Sequence, residues 1–273
     1  MNLLRRDAVA LGATAAVTAL ALGLVRVSED RLDRTEHVTG WLAMAALVAL
    51  TTLSLRKKLP FLPLGRTASW LQVHVYLGLF TMVLVGLHVE ARMPTGAMEG
   101  LLAVLFVLVA GSGLGGIYMS RSFARRLTTR GQEVIWERIP VLRRRLREEA
   151  KALALRSIQE VGSTAISDLY LGKLARFFDR PAHFWSHVLG SERPKRTLVA
   201  ELEAFDRYAS DAEHGFSEEL ARLAIMKDDL DFHWALQGAL KGWLFLHIPA
   251  TYALIALALV HGLLAEAFST GLR

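Results

Sequence analysis

Four of the nine histidines lie in uncharged stretches at matched spacing. His74 and His88 bracket "HVYLGLFTMVLVGLH", and His247 and His261 bracket "HIPATYALIALALVH". In an α-helix, fourteen steps of 100° fall about 40° short of four full turns. Both imidazoles of a stretch therefore share one face, about 21 Å apart along the axis. Three chemistries suit such residues. A lone histidine in a membrane span bridges helices by a hydrogen bond. Zinc or copper wants ligands within one or two turns, as in i, i+4 pairs, which this spacing does not offer. An iron held axially between two imidazoles, one from each of two helices, fits the spacing twice.

The elements that would position them are apolar. Residues 8–27, 38–55, 70–89, 101–119 and 243–268 form five segments long enough to cross a bilayer. About 20 residues at 1.5 Å rise match a hydrocarbon core of ~30 Å. The first follows "MNLLRRD" and has no small-x-small site before "RVSED", so an uncleaved span is expected.

Basic residues set the orientation. Arg5 and Arg6, then Arg56, Lys57, Lys58 and Arg66, then Arg121, Arg125, Arg126 and Arg130 flank alternate ends of the spans. The positive-inside rule places these ends, the N-terminus and residues 120–240 in the cytoplasm of a bacterial inner membrane. Spans three and five then run in the same direction. His74 falls at the depth of His247, and His88 at the depth of His261. Packed face to face, the two helices offer two stacked sites for a planar haem. The expected fold is an all-α integral membrane bundle. Residues 1–119 carry transmembrane helices one to four, 120–240 a helical cytoplasmic insert, and 241–273 helix five.

Composition agrees. The chain of 273 residues is 53% hydrophobic, with mean hydropathy +0.33, too apolar for an ordinary soluble domain. It has no cysteine. That excludes disulfides, iron–sulfur clusters, thiolate metal sites and a covalently attached c-type haem in this chain. The net charge of +6 reads as topology and contact with membrane lipids, not nucleic acid. "GSGLGG" at 111–116 matches G-x-G-x-x-G, yet lies in a span with no preceding strand, so close backbone approach replaces the dinucleotide reading. Gly40, Gly78 and Gly86 suit the same role. No Ser–His–Asp set, P-loop or paired carboxylates stand out, which leaves electron transfer with the chemistry in a cofactor.

The paired spacing resembles the di-haem transmembrane cytochromes b, which include the b subunits of quinol:cytochrome c reductases and ferric-reductase-like proteins. The resemblance covers the spans, mainly three and five. It implies two haems b in a helical bundle, one on His74 and His247 and one on His88 and His261. The stretches "SWLQVHVYLGLF" and "KDDLDFHWALQGALKGWLFLHIP" are similar to bacterial b-type subunits that work beside multihaem c-type cytochromes. The implied task is carrying electrons between the quinone pool and such a partner. A ferric-reductase-like metalloreductase subunit and a non-redox membrane scaffold are the alternatives. The insert departs from both broad families, and no flavin or nucleotide domain is present.

Arg66, Lys241 and Arg92 flank spans three and five and suit haem propionates or snorkelling. His37 and Glu90 near the outer surface suit accepting a quinol proton or an ordinary interface role. His183 and His187 in "HFWSH" are four apart without a third ligand, which favours an exposed or core role over a metal.

Overall fold

The structure is a computed structural model that describes residues 35–54, 66–90, 92–131 and 134–270. The first expected span, 8–27, lies outside the described residues. Every element among the described residues is helical. In chain order these are α1 (Thr35–Leu50), α2 (Thr67–Val89), α3 (Ala97–Thr129), a short 3-10 turn (Trp136–Arg138), α4 (Ile139–Val161), α5 (Ala165–Leu169), α6 (Ala175–Asp179), α7 (Phe184–Leu189), α8 (Arg193–Asp206) and α9 (Asp211–Thr270). Tyr170–Leu174 widens to a π turn between α5 and α6.

Four helices are long and apolar enough to cross a membrane: His37–Ser54, Thr67–Val89, Ala97–Thr129 and Asp211–Phe268. Little of their apolar length is covered by the fold. Leu101, Val104, Val107 and Leu114 of α3 all point outward. A helix apolar on every side with nothing over it suits hydrocarbon, not water.

The chain divides into two units, one of Met1–Ile117 with Leu244–Arg273, the other of Tyr118–Trp243. In the first unit α1 lies along α2. Ala43 and Ala46 meet Leu84, with Leu77, Phe80 and Val85 around them. Small residues let the two backbones approach.

The second unit grows around α4. Leu146, Ala150, Leu153 and Ala154 fall at helical spacing and face Ile166, Tyr170, Leu174 and Phe178. Leu220, Leu223 and Ala224 of α9 close the core. Gly162 (φ 72°) and Gly190 (φ 81°) end α4 and α7 in the left-handed region that glycine favours, and Pro194 sits in the first turn of α8. The stretch 195–240 reads in sequence as two or three helices ending before the last span. Instead α9 runs through to Thr270. From Asp211 its first proline is Pro249, and glycine alone costs only about 1 kcal/mol in a helix, so nothing stops it. Pro249 removes one backbone donor inside the helix.

Charge is buried in this second unit. Lys227 and Asp231, both fully covered, pair at 2.6 Å. Lys227 also donates to the Arg180 carbonyl at 2.8 Å and lies over the Phe177 ring. Asp231 accepts the Ala182 N–H at 2.9 Å, with Arg143 at 3.1 Å. Burial pushes the lysine down and the aspartate up, each opposed by the other's charge. At the end of α3, Arg130 bonds Asp228 and, at 2.8 Å, Asp229, while its carbonyl accepts from His233 at 2.9 Å. Asp231→Ala leaves Lys227 buried without its partner and lowers the unfolding free energy by about 3–5 kcal/mol, read by thermal melting of the detergent-solubilised chain.

His187 is buried 3.5 Å from Asp228, and neither ring nitrogen has a hydrogen-bond partner. Burial pushes it down to about 4 against the pull of the Asp228 charge. The unfolded imidazole titrates near 6.5, so the fold refuses a proton that the unfolded chain accepts. Stability is therefore highest above about pH 6.5 and falls as pH drops toward 4. His187→Leu flattens that part of the pH–stability curve in the same melts.

Candidate functional site

The second and last helices of the first unit carry the four histidines. His74 and His88 come from α2, and His247 and His261 from the later part of α9. His74 faces His247 with ring centres 6.5 Å apart and planes at 71°. His88 faces His261 at 6.4 Å and 79°. Earlier meets earlier and later meets later, so the two helices run in the same direction.

Polar neighbours hold the rings. The carbonyl of Leu50, at the end of α1, lies 3.0 Å from His74 Nδ1. A carbonyl only accepts, so Nδ1 carries the hydrogen and Nε2 keeps its lone pair. Ser112 Oγ lies 2.8 Å from His247 Nδ1 and donates its own hydrogen to the Val109 carbonyl at 2.9 Å. With that hydrogen spent, Ser112 accepts from His247 Nδ1–H, so Nε2 carries no hydrogen there either. Thr39 Oγ1 lies 3.5 Å from His88 Nδ1. These partners orient the imidazoles in the way that hydrogen-bonded neighbours orient metal-ligating histidines.

Glycines set the clearances. A Cβ on Gly40 would come within 2.9 Å of the His88 ring, so the ring would have to shift to admit one. A Cβ on Gly113 would stand 3.7 Å from His247, and this is where "GSGLGG" meets the site. Gly78, Gly86, Gly111 and Gly115 face open space.

The separations fit an axially held iron. An imidazole nitrogen lies about 1.2 Å from its ring centre and about 2.0 Å from a bound metal, so two rings on one axis stand about 6.4 Å apart. Rings on a common axis are free to twist about it, so steep interplanar angles agree with this. Distance alone does not decide, because His183 and His187 also stand 6.4 Å apart. Those two sit on neighbouring turns of one short segment, one exposed and one buried. Among the described residues no group of three or more His, Asp or Glu side chains is gathered to hold a bare metal ion.

The other candidate residues lie as follows. His37 is in the first turns of α1, two residues before Thr39, and its Nε2 is buried with no hydrogen-bond partner. Glu90 ends α2 in a left-handed conformation (φ 48°) and pairs with Arg92 at 2.6 Å. Arg66 precedes the first residue of α2 and is exposed. Lys241 belongs to the second unit, where it lies over Trp136 and 3.2 Å from Glu137. The sequence reading missed Leu50, Thr39 and Ser112. A backbone carbonyl has no signature in sequence. A hydroxyl residue beside glycine inside an apolar run, as at 39–40 and 111–113, is the signal that the other two carried.

Comparison with protein-family models, with curated proteins and with solved structures finds no match. The geometry therefore carries the functional argument alone. Ser112→Ala removes the acceptor from His247 and destabilises the chain by about 1 kcal/mol, the scale of interhelical hydrogen bonds in membranes, while Ser112→Thr retains most of that stability. Denaturation in detergent micelles checks both.

Proposed function

We propose that this chain is a di-haem b-type cytochrome subunit that carries electrons across a bacterial inner membrane. The observation that supports it best is the double pairing. Two histidine pairs meet at the separation of axial ligands, and His74 and His247 have their Nδ1 atoms spent elsewhere. His74 and His247 hold one haem b, and His88 and His261 the other. Haem iron supplies a reversible one-electron couple whose potential responds to axial ligand, hydrogen bonding and burial.

The residues do the rest. Leu50 and Ser112 fix the ring orientations of His74 and His247, and Thr39 that of His88. A hydrogen bond at Nδ1 makes the opposite nitrogen a better donor to iron. The apolar helices keep water from the ligands. Arg66 and Arg92, at opposite ends of α2, supply positive charge for propionates. His37 has an unpartnered ring nitrogen and lies within one turn of Thr39, so it is near the level of His88 along α1. It accepts the proton that a quinol gives up as its electrons enter there. The redox partners are the quinone pool and a second protein, a multihaem c-type cytochrome in our reading.

The test is a reduced-minus-oxidised optical spectrum of the purified chain with a pyridine haemochrome count, beside single His→Ala variants. Two haems b per chain are expected. His74→Ala and His247→Ala lose one and keep the other, and His88→Ala and His261→Ala lose the other. A colourless protein, or a haem content indifferent to all four changes, would sink the proposal. Reduction by a quinol analogue alone supports the quinone-linked role. A demand for a separate cytoplasmic donor supports a metalloreductase instead.

A further inference from the structure

The first half of α4 goes against two local rules of helix charge. Arg138 stands at its N-terminal end, no acid lies in its first turn, and Arg143, Arg144 and Arg145 follow. The macrodipole favours acids at that end. Glu148 and Glu149 come four residues after Arg144 and Arg145, and a cation ahead of an acid is the weaker order for pairing within one helix. Arg143 turns inward to Asp231 at 3.1 Å. Arg144 and Arg145 form no ion pair among the described residues. Glu148 is held only by its chain neighbour Arg147, at 2.9 Å. Arg222 feels the charge of Glu149 but is bonded to Glu219 instead.

These charges lie on the outward side of α4. Leu146, Ala150 and Leu153 fill its inward side. Val141 and Leu155 point away from that core and are 60% and 54% exposed, and Ala152 is exposed as well. Steps of 100° place these three within about 60° of one another around the axis. Glu148 falls on the same line, with Arg144 to one side of it and Arg145 and Glu149 to the other. The face is a short apolar line that carries cations in its first half and acids at its middle.

We infer that a second copy of this chain docks antiparallel along this face of α4. The inference goes beyond the redox reading and does not rest on it. In the register that matches charge, Val141 of one copy lies by Ala152 of the other, Arg145 faces Glu149, and Arg144 faces Glu148. A two-fold axis makes every contact twice, so the arginines of each copy meet the glutamates of the other. The antiparallel copy thus brings acids beside the arginines that α4 itself leaves uncompensated, and the two macrodipoles run opposed. An anionic lipid surface or a purely acidic protein would be repelled by Glu148 and Glu149 in the same stripe. A copy of α4 is complementary in both signs, which fixes register. The apolar line is short, so the contact belongs to the small, reversible class.

The chain has no cysteine, so introduced thiols report the contact directly. The full chain is studied in detergent micelles. Val141→Cys combined with Ala152→Cys is expected to form a disulfide-linked dimer under mild oxidation, and neither single variant is. In this register equivalent residues of the two copies stand about 16 Å apart along the axis, beyond disulfide reach. Arg145→Glu is expected to weaken dimerisation roughly tenfold, read by light scattering over a dilution series. Adding Glu149→Arg to it is expected to restore the dimer. All four positions are exposed, and unchanged thermal melts show that each variant is folded. Cross-linking of the single variants, or of none, overturns the inference. So does a parent chain that stays monomeric throughout the series. A dimer lost with Arg145→Glu and not restored by the reversed pair means that the arginines meet another surface, lipid or a different protein, and overturns it as well.

Discussion

The hydrogen bond at imidazole Nδ1 is the constraint on which the candidate site depends. Inside an apolar bundle an unsatisfied ring nitrogen costs about as much as a lost hydrogen bond. It must be met by a neighbouring helix. His74 finds the carbonyl of Leu50, where α1 is ending, and His247 finds Ser112. Each bond fixes a ring, and a fixed ring aims Nε2. Without those partners the imidazoles would swing among rotamers, and two rings 6.5 Å apart would be coincidence. With them, the opposite nitrogens of His74 and His247 keep lone pairs fit for an iron between them.

Glycine acts on the same constraint from the other side. A Cβ at Gly40 would stand 2.9 Å from the His88 ring, so a side chain there would displace the ring from its place beside Thr39. The packing of α1 on α2 through Ala43, Ala46 and Leu84 brings Gly40 and Thr39 past His88 together. Small residues thus do two jobs along α1. They let the helices approach, and they leave room where a ring must sit.

Much of this was legible in the sequence. The spacing of fourteen and the parallel order of the two histidine-bearing helices follow from helix geometry and basic flanks alone. The helical character of residues 139–206 follows from apolar spacing, and its breaks from Gly162, Gly190 and Pro194. Other features depend on tertiary proximity. The Leu50 carbonyl lies 24 residues from His74, and Ser112 lies 135 from His247, so no local pattern links them. The continuity of α9 was also hidden, because a change from charged to apolar composition near 241 looks like a boundary although the backbone has no reason to stop. Lys241 shows the risk of assigning charge by sequence distance. It flanks the span yet pairs with Glu137 and Trp136.

The two units surround their polar side chains differently, and the difference bears on the choice of residue. The second unit buries full charges, Lys227 with Asp231 and Arg130 with Asp228, and surrounds them with carbonyls, amides and aromatic faces. That requires a dense set of polar neighbours, which a helix apolar on every side does not have. The first unit half-buries four histidines at its helix contacts. Neutral imidazole needs one acceptor for its N–H, which a single hydroxyl or helix-end carbonyl supplies, and its other nitrogen still offers a lone pair. Among side chains, imidazole combines a small desolvation demand with an available ligand for iron, since carboxylates and amines bring charge and amides bring two donors to satisfy. In the first unit His74, His88 and His247 each lie against one carbonyl or hydroxyl, from Leu50, Thr39 and Ser112 in turn.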